Sequence, residues 1–400
     1  MSALEANAIE GVEGLLVVEL AEGIAGPFCG VMLAEMGARV IKIEPPDGDW
    51  SRTTGPPWVS GESPLFLEMN RGKESFAVDL RSEDGLAAVR ALMLKADVVI
   101  QGYRPGVADR YGLGPAIVGE NERLVYCSIS GYGNRGPRRE QPGSDTILQG
   151  YAGVMSVTGE PDGPPMRVGT ALADTSCGVY ALTSILALLL RRTQTGRGGE
   201  VDTSLLESLM HLQTTTFASF AAGKMPERLG TRTSLSAVPA ELFRTGDGYI
   251  MVSCHGARQW RRLCTTLGHP EWIEDPRMAS NESRVTNHDE VVALLGEALS
   301  EDSSEAWLER LEEGGVNAGP IQTFEQLAED PQMQALRQLR RTPGGRYESF
   351  GYVSPPFTID NVPDKAFDVE PPALGEHTDA ILAELESGAT RPTRSPRSSR

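Results

Sequence analysis

The sequence predicts an α/β protein: a large domain with a mainly parallel sheet, joined to a smaller α+β domain. Three observations predict it. Apolar strand-like runs alternate with helical segments through the first third of the chain, the pattern of βαβ units. The middle is helical. From about Gly223 the texture changes, and a hairpin signature follows a stretch of Gly, Pro, Arg and Ser.

The elements follow in order. Leu15–Leu20 reads as a buried strand and Gly26–Gly37 as a helix with Pro27 in its first turn. Arg39–Ile43 is a second strand. Pro45–Pro64, rich in Pro, Gly and Ser, is a long loop. Ser75–Leu80, Asp97–Gln101 and Leu124–Ile129 are further strands, with Glu83–Ala96 a helix between the first two. Asp145–Val157, Asp174–Arg192 and Ser204–Ala222 are helices. Thr195–Gly199 breaks the last two apart, and Glu200–Thr203 is a short strand. Gly223–Ala237 is a linker. Ala240–Thr245 and Tyr249–Cys254 pair as a hairpin across Gly246–Gly248, and helices follow at Arg258–Leu267, Asp289–Leu299 and Ser304–Glu313. The domains are therefore 1–225 (first part of the large domain), 226–330 (small α+β domain), 331–386 (return to the large domain, with strand-like text at Val353–Ile359) and 387–400 (a disordered Arg-rich tail).

Composition excludes several classes. The 400 residues are 40% hydrophobic and 23% charged, which suits a globular protein and not a collagen, a coiled coil or a disordered chain. Asp and Glu number 55 against 37 Lys and Arg, a net charge of -18 that opposes nucleic-acid binding. A local basic pocket for an anionic ligand remains compatible, since salt screens charge within about 8 Å. The five cysteines form no CxxC pair, so we expect reduced thiols in a cytoplasmic protein. Met1–Gly14 lacks the apolar core of a signal peptide. The apolar run Cys177–Leu190 is too short to cross a bilayer, so we expect a core helix and no membrane partner.

Several motifs carry chemistry on one reading and structure on another. Gly23, Gly26 and Gly30 follow the first strand with GxxGxxxG spacing, which fits a tight strand-to-helix turn better than a dinucleotide fingerprint. Asn70-Arg71-Gly72-Lys73 and Arg104-Pro105-Gly106 with Arg110 read as solvated surface, or as phosphate-capturing loops. Asp174 stands before an apolar helix. As structure it is an N-cap. As chemistry it is a nucleophilic carboxylate, ionised at neutral pH at an ordinary pKa of about 3.9 and held by N–H groups of the helix start. The five histidines have no HxH or HExxH spacing, so no metal site is expected, and GxSxG and Walker A motifs are absent.

Taken in order, a set of segments resembles the family III CoA-transferases (CaiB/BaiF type), which include formyl-CoA transferase, carnitine CoA-transferase and α-methylacyl-CoA racemase. The segments are Ile24-Ala25-Gly26-Pro27, Val40–Pro46, Asn70–Lys73, Tyr103–Gly106, Cys127–Gly133, Thr158–Pro165, Ala173-Asp174, Thr195–Gly198, Asp330–Gln332 and Leu374–Thr378. The resemblance runs from about Leu15 to Leu385. It implies a Rossmann-like large domain built from both ends of the chain, a small domain, and an interlocked homodimer. It implies coenzyme A thioester as a substrate, with no permanently bound cofactor. By the same resemblance Asp174 is the catalytic aspartate. Ile24, Ala25, Val78, Tyr103, Arg104 and Arg110 contact CoA, and Ser144 with Asp145 lies at the acyl pocket.

The implied reaction moves CoA from an acyl-CoA to a free carboxylic acid through a mixed anhydride and an aspartyl-CoA thioester. Racemases of the family use a Gly-His-Asp histidine, whereas this chain has Gly143-Ser144-Asp145, so racemisation is the weaker alternative. A non-catalytic acyl-CoA-binding protein is another. Of the glycine-rich loop of some transferases, Ser253–Ala257 keeps only Gly256, so no mobile lid is expected there.

Overall fold

The computed structural model describes residues 12–233, 237–341, 345–347, 350–357 and 369–388. The first part of the chain gives β1 (Leu16–Leu20), α1 (Ala25–Glu35), β2 (Arg39–Glu44), α2 (Pro64–Met69), β3 (Glu74–Ala77), α3 (Glu83–Lys95), β4 (Val98–Gln101), α4 (Val107–Arg110) and β5 (Val125–Ser130). Then come α5 (Asp145–Tyr151), α6 (Val154–Val157), α7 (Leu172–Thr195), β6 (Gly199–Ser204), α8 (Leu205–Leu212) and α9 (Thr214–Ala221). The six strands form one parallel sheet in the order β3-β2-β1-β4-β5-β6. β1 and β4 are buried at every position, as strands covered on both faces must be.

One layer of the core lies between the sheet and α1, α5, α7 and α8, the other between the sheet and α3. Helix α7 begins at Leu172, two residues before the expected start, and has 24 residues. By length and composition it could cross a membrane. It is a core helix here: Cys177, Ala181, Ile185 and Leu189 are buried in the layer under the sheet. The single helix expected over 145–157 is two, α5 and α6, and the backbone turns between them at Gly153 (φ 85°).

The chain divides into two compact units, Met1–Val154 with Val168–Thr214 and Gln332–Arg400, and Met155–Arg167 with Thr215–Pro331. The expected boundaries kept 155–167 in the large domain. Instead the Arg228 guanidinium donates to the carbonyls of Pro161 and Gly163, and the Gly230 N–H to Gly159. Those bonds tie the segment to the second unit. That unit holds β7 (Ala240–Arg244) and β8 (Tyr249–Ser253), an antiparallel hairpin extended by β9 (Ala318–Pro320). Its core is built on Trp260, Trp272 and Trp307, with α10 (Ala257–Thr266), α11 (Asn281–Thr286), α12 (His288–Leu299) and α13 (Ser304–Glu313) around them.

After the exposed α14 (Phe324–Glu329) and α15 (Pro331–Leu336), β10 (Leu339–Arg341) pairs antiparallel with β11 (Gly351–Val353). The strand therefore ends at Val353, where the sequence was read as beginning one, and Thr358–Asp368 lies outside the described residues. The last segment docks on β3 of the first unit. Gly375 N–H donates to Ser75 Oγ, Ala77 N–H to Thr378 Oγ1, and Arg39 pairs with Glu384 of α16 (Thr378–Ser387). Of the Arg-rich tail, Ser387 ends α16 and 389–400 lies outside the described residues.

Candidate active site

The sheet order reverses between β1 and β4, which makes the carboxyl ends of those strands the place where an open α/β sheet leaves a ligand crevice. Two loops meet there. Gly102 N–H donates to Leu20 O, joining the β4–α4 turn to the end of β1. The β1–α1 turn carries Ile24 and Ala25. The β4–α4 turn carries Tyr103 and Arg104, with Arg110 at the end of α4. Gln101 Oε1 accepts from Tyr103 N–H and shapes the second turn. Val78 follows β3, two strands away along the same edge. Arg104 and Arg110 are exposed and form no ion pair among the described residues.

A frame of buried charge holds the first turn. Lys42 Nζ bonds to Glu19 Oε1 (3.1 Å), Asp49 Oδ2 (2.8 Å) and the Ala21 carbonyl (2.7 Å), and Asp49 accepts from the Gly23 N–H. Lys73 Nζ takes the other Glu19 oxygen at 2.7 Å. Burial opposes the charge on Lys42, but Glu19, Asp49 and Glu44 outweigh it and raise its proton affinity. Arg52 pairs with Glu44, and Arg71 with Glu35. The basic cluster Asn70–Lys73 is thus neither solvated surface nor a phosphate loop. Asn70, Arg71 and Lys73 are buried with protein partners. Gly30 is needed for the same frame, because a Cβ there would strike the Glu19 carboxylate.

Asp174 lies on the other side of α1. It is not an N-cap: the cap position of α7 is Ala171, and Asp174 sits in the first turn. The helix-start N–H groups do not hold its carboxylate either. Ala173 N–H donates to Asp145 Oδ1 at 2.7 Å and Leu172 N–H to the Thr170 carbonyl. The Asp174 carboxylate is half-buried and makes no hydrogen bond or ion pair among the described residues. Burial, then the neighbouring Asp145 charge, push it up to about 7, so the expectation of an ordinary carboxylate does not hold. One turn further on, Gly178 lets α7 approach α1 closely, and a Cβ there would lie 2.8 Å from the Ala25 carbonyl oxygen. This contact brings the start of α7 to Ile24 and Ala25.

Asp145 is buried at the start of α5, and Gln149, one turn on, is fully buried. Gln149 Nε2 donates to Asp145 Oδ2 (2.8 Å) and Thr170 O (3.1 Å), and Oε1 accepts from Val168 N–H (2.9 Å). Ser144 is exposed at the N-cap of α5, and its side chain caps nothing. Gln149 escaped the sequence reading; its one signal is i, i+4 spacing from Asp145. Among the described residues no group of three or more His, Cys, Asp or Glu is placed to hold a metal ion. Ser253–Ala257 belongs to the second unit, where Gly256 (φ 91°) precedes α10.

The arrangement offers a carboxylate poised to ionise near neutrality, unpaired among the described residues, on a helix packed against the β1–α1 turn. That turn meets a second loop whose exposed guanidinium groups form no ion pair among the described residues. Comparison with known proteins gives the same direction. The model of "CoA-transferase family III" matches residues 12–378. The chain is 38% identical to an acetyl-CoA:oxalate CoA-transferase of Acetobacter aceti, covering 86% of this chain and 90% of that protein. It is 37% identical to a succinate–glutarate CoA-transferase of Agrobacterium fabrum, covering 94% and 96%. A crystal structure of a CaiB/BaiF family protein from Brucella suis superposes with a TM-score of 0.84 at 37% identity, covering 95% of this chain and 100% of that one.

Proposed function

The chain belongs to CoA-transferase family III and is a CoA-transferase, and from that premise we propose that Asp174 carries CoA covalently from an acyl-CoA to a dicarboxylic acid. One observation carries the reading: a half-buried, unpaired carboxylate raised to about 7, one turn from the contact with Ala25. Oxalate, succinate and glutarate in the names of the two relatives support the acceptor class.

The steps balance. An Asp174 oxygen attacks the thioester carbonyl carbon, the C–S bond breaks, and CoA leaves as thiolate. The product is a mixed anhydride. The thiolate attacks the Asp174 carbonyl carbon, the anhydride C–O bond breaks, and the donor acid departs as carboxylate. The acceptor carboxylate then attacks the aspartyl-CoA thioester, and the same two steps in reverse return Asp174 as carboxylate. A raised pKa makes the ionised oxygen a stronger nucleophile while leaving about half of it ionised near pH 7. Arg104 and Arg110 supply donors for CoA phosphates, and Ile24, Ala25, Val78 and Tyr103 line the crevice. The reading includes a cytoplasmic homodimer. Five unpaired, buried cysteines support a reducing compartment. Helix α9, with Phe217 and Phe220 exposed and no buried residue, supports a partner copy.

Acyl exchange in deuterated water tests this. Acetyl-CoA with oxalate and succinyl-CoA with glutarate are incubated with wild type and Asp174→Ala, and products are read by mass spectrometry. We expect new acyl-CoA without α-deuterium, an enzyme-bound CoA adduct, and a loss of at least about 10³-fold in the variant with CoA binding retained. Deuterium at the α-carbon without exchange overturns the reading in favour of racemisation. Exchange that survives in Asp174→Ala removes the nucleophile.

A further inference from the structure

We infer that Gln149 is a positioning residue for Asp174, acting through Asp145 and the backbone that leads into α7. The inference rests on the reading of Asp174 as nucleophile.

Gln149 and Asp145 are four residues apart on α5 and share one helix face. An amide has two N–H donors and a carbonyl acceptor, and Gln149 uses both kinds. Its Nε2 grips the Asp145 carboxylate and the Thr170 carbonyl, and its Oε1 grips the Val168 N–H. Asp145 then takes the Ala173 N–H with its other oxygen. The segment entering α7 is therefore held at 168, 170 and 173, and the next residue is Asp174. A hydrocarbon side chain at 149 would lose all three of its bonds while filling the same space. Neither side chain has to touch substrate for this effect.

The same pair sets the electrostatics. The elements packed on the start of α7 present Asp145 from α5, Glu207 from α8, Cys29 from α1, Cys127 from β5 and Asp202 from β6, with Cys177 on α7 itself. Of these, Asp145 is the charge that adds to burial in raising Asp174. Gln149 fixes where that charge sits.

The full-length enzyme tests this with Gln149→Leu, Gln149→Glu and Asp145→Asn beside Asp174→Ala. The rates of exchange are followed across pH with the donor–acceptor pair that the wild type uses, and binding of coenzyme A is measured in parallel. We expect Gln149→Leu to lower kcat on the order of 10- to 100-fold, the scale of a misplaced reacting group, with coenzyme A affinity changed less than about twofold. The acid limb of kcat/KM, near pH 7 in the wild type, moves to lower pH in Asp145→Asn and to higher pH in Gln149→Glu, by about half a unit or more. A purely structural role does not move that limb in opposite directions. If Gln149→Leu fails to fold, the two limbs decide. A folded Gln149→Leu with wild-type kcat, or unmoved limbs in the other two, overturns the inference. Exchange that survives in Asp174→Ala overturns the nucleophile reading itself, whereas an inactive Asp174→Ala beside normal Gln149 variants overturns the positioning role alone.

Discussion

Two places in the sheet domain bury charge, and they do so in opposite ways. At the ends of β1, β2 and β3, Glu19, Lys42, Lys73 and Asp49 are buried together, and each carboxylate faces an ammonium within 3.1 Å. At the start of α7, Asp174 has no hydrogen-bond or ion-pair partner among the described residues and stands next to a second acid. The first arrangement fixes the β1–α1 turn and does nothing by itself. The second is unfavourable for folding, and on the proposed reading a carboxylate denied partners keeps its reactivity. Paired buried charge is scaffold, and unpaired buried charge is the candidate chemistry.

Removing one member of the paired frame should have the largest effect on stability. Lys42→Met leaves buried Asp49 without its ammonium and Glu19 with Lys73 alone, and denaturant unfolding should show a loss of about 3–5 kcal/mol. Asp174→Asn should act in the other direction. The folded-state value of about 7 lies above the unfolded value of about 3.9, so the acid favours folding fully only below the lower value. That contribution is lost as pH rises through about 7. The variant should therefore be more stable than wild type by about 2 kcal/mol at pH 8, after allowance for partial solvation, with the gain shrinking towards pH 4. Equal stability at pH 8 would place Asp174 among ordinary surface acids.

Much of the sheet was legible because strands covered on both faces must be largely apolar: β1, β4 and β5 are such runs, and β2 keeps Val40, Ile41 and Ile43 among its charged residues. The edge strand β6, Gly199–Ser204, alternates half-buried and exposed residues and was read two residues short. The short helices α14 and α15 bury no residue, so no apolar period announces them. The start of α7 was misplaced because the Ala173 N–H is met by the Asp145 side chain 28 residues away, not by a local side-chain cap. Partnership was likewise invisible. Arg71 and Lys73 find Glu35 and Glu19 at separations of 36 and 54 residues, and a run of text cannot distinguish them from Arg104 and Arg110. Gln149 was hidden for the plainest reason. A neutral amide inside a helix has no motif, and its role comes from the three groups the fold brings to it.

That distinction between basic residues gives the smallest and most selective of the expected effects. Arg110 ends α4, exposed and without an ion pair among the described residues, beside the turn that carries Tyr103 and Arg104. Among the described residues no side chain pairs with its charge, so Arg110→Ala should leave thermal stability within about 0.5 kcal/mol. Its guanidinium is free to take a phosphate oxygen, and a charge-assisted bond at a wet surface contributes on the order of 1–2 kcal/mol. Titration calorimetry should therefore show coenzyme A binding about tenfold weaker in the variant. The difference should narrow as salt is raised, because an exposed pair is screened and a buried one is not. A variant that binds coenzyme A like the wild type at low salt would move the phosphate contact away from α4. A variant that unfolds early would show that Arg110 belongs with Arg71 and Lys73 after all, among the charges that hold the fold.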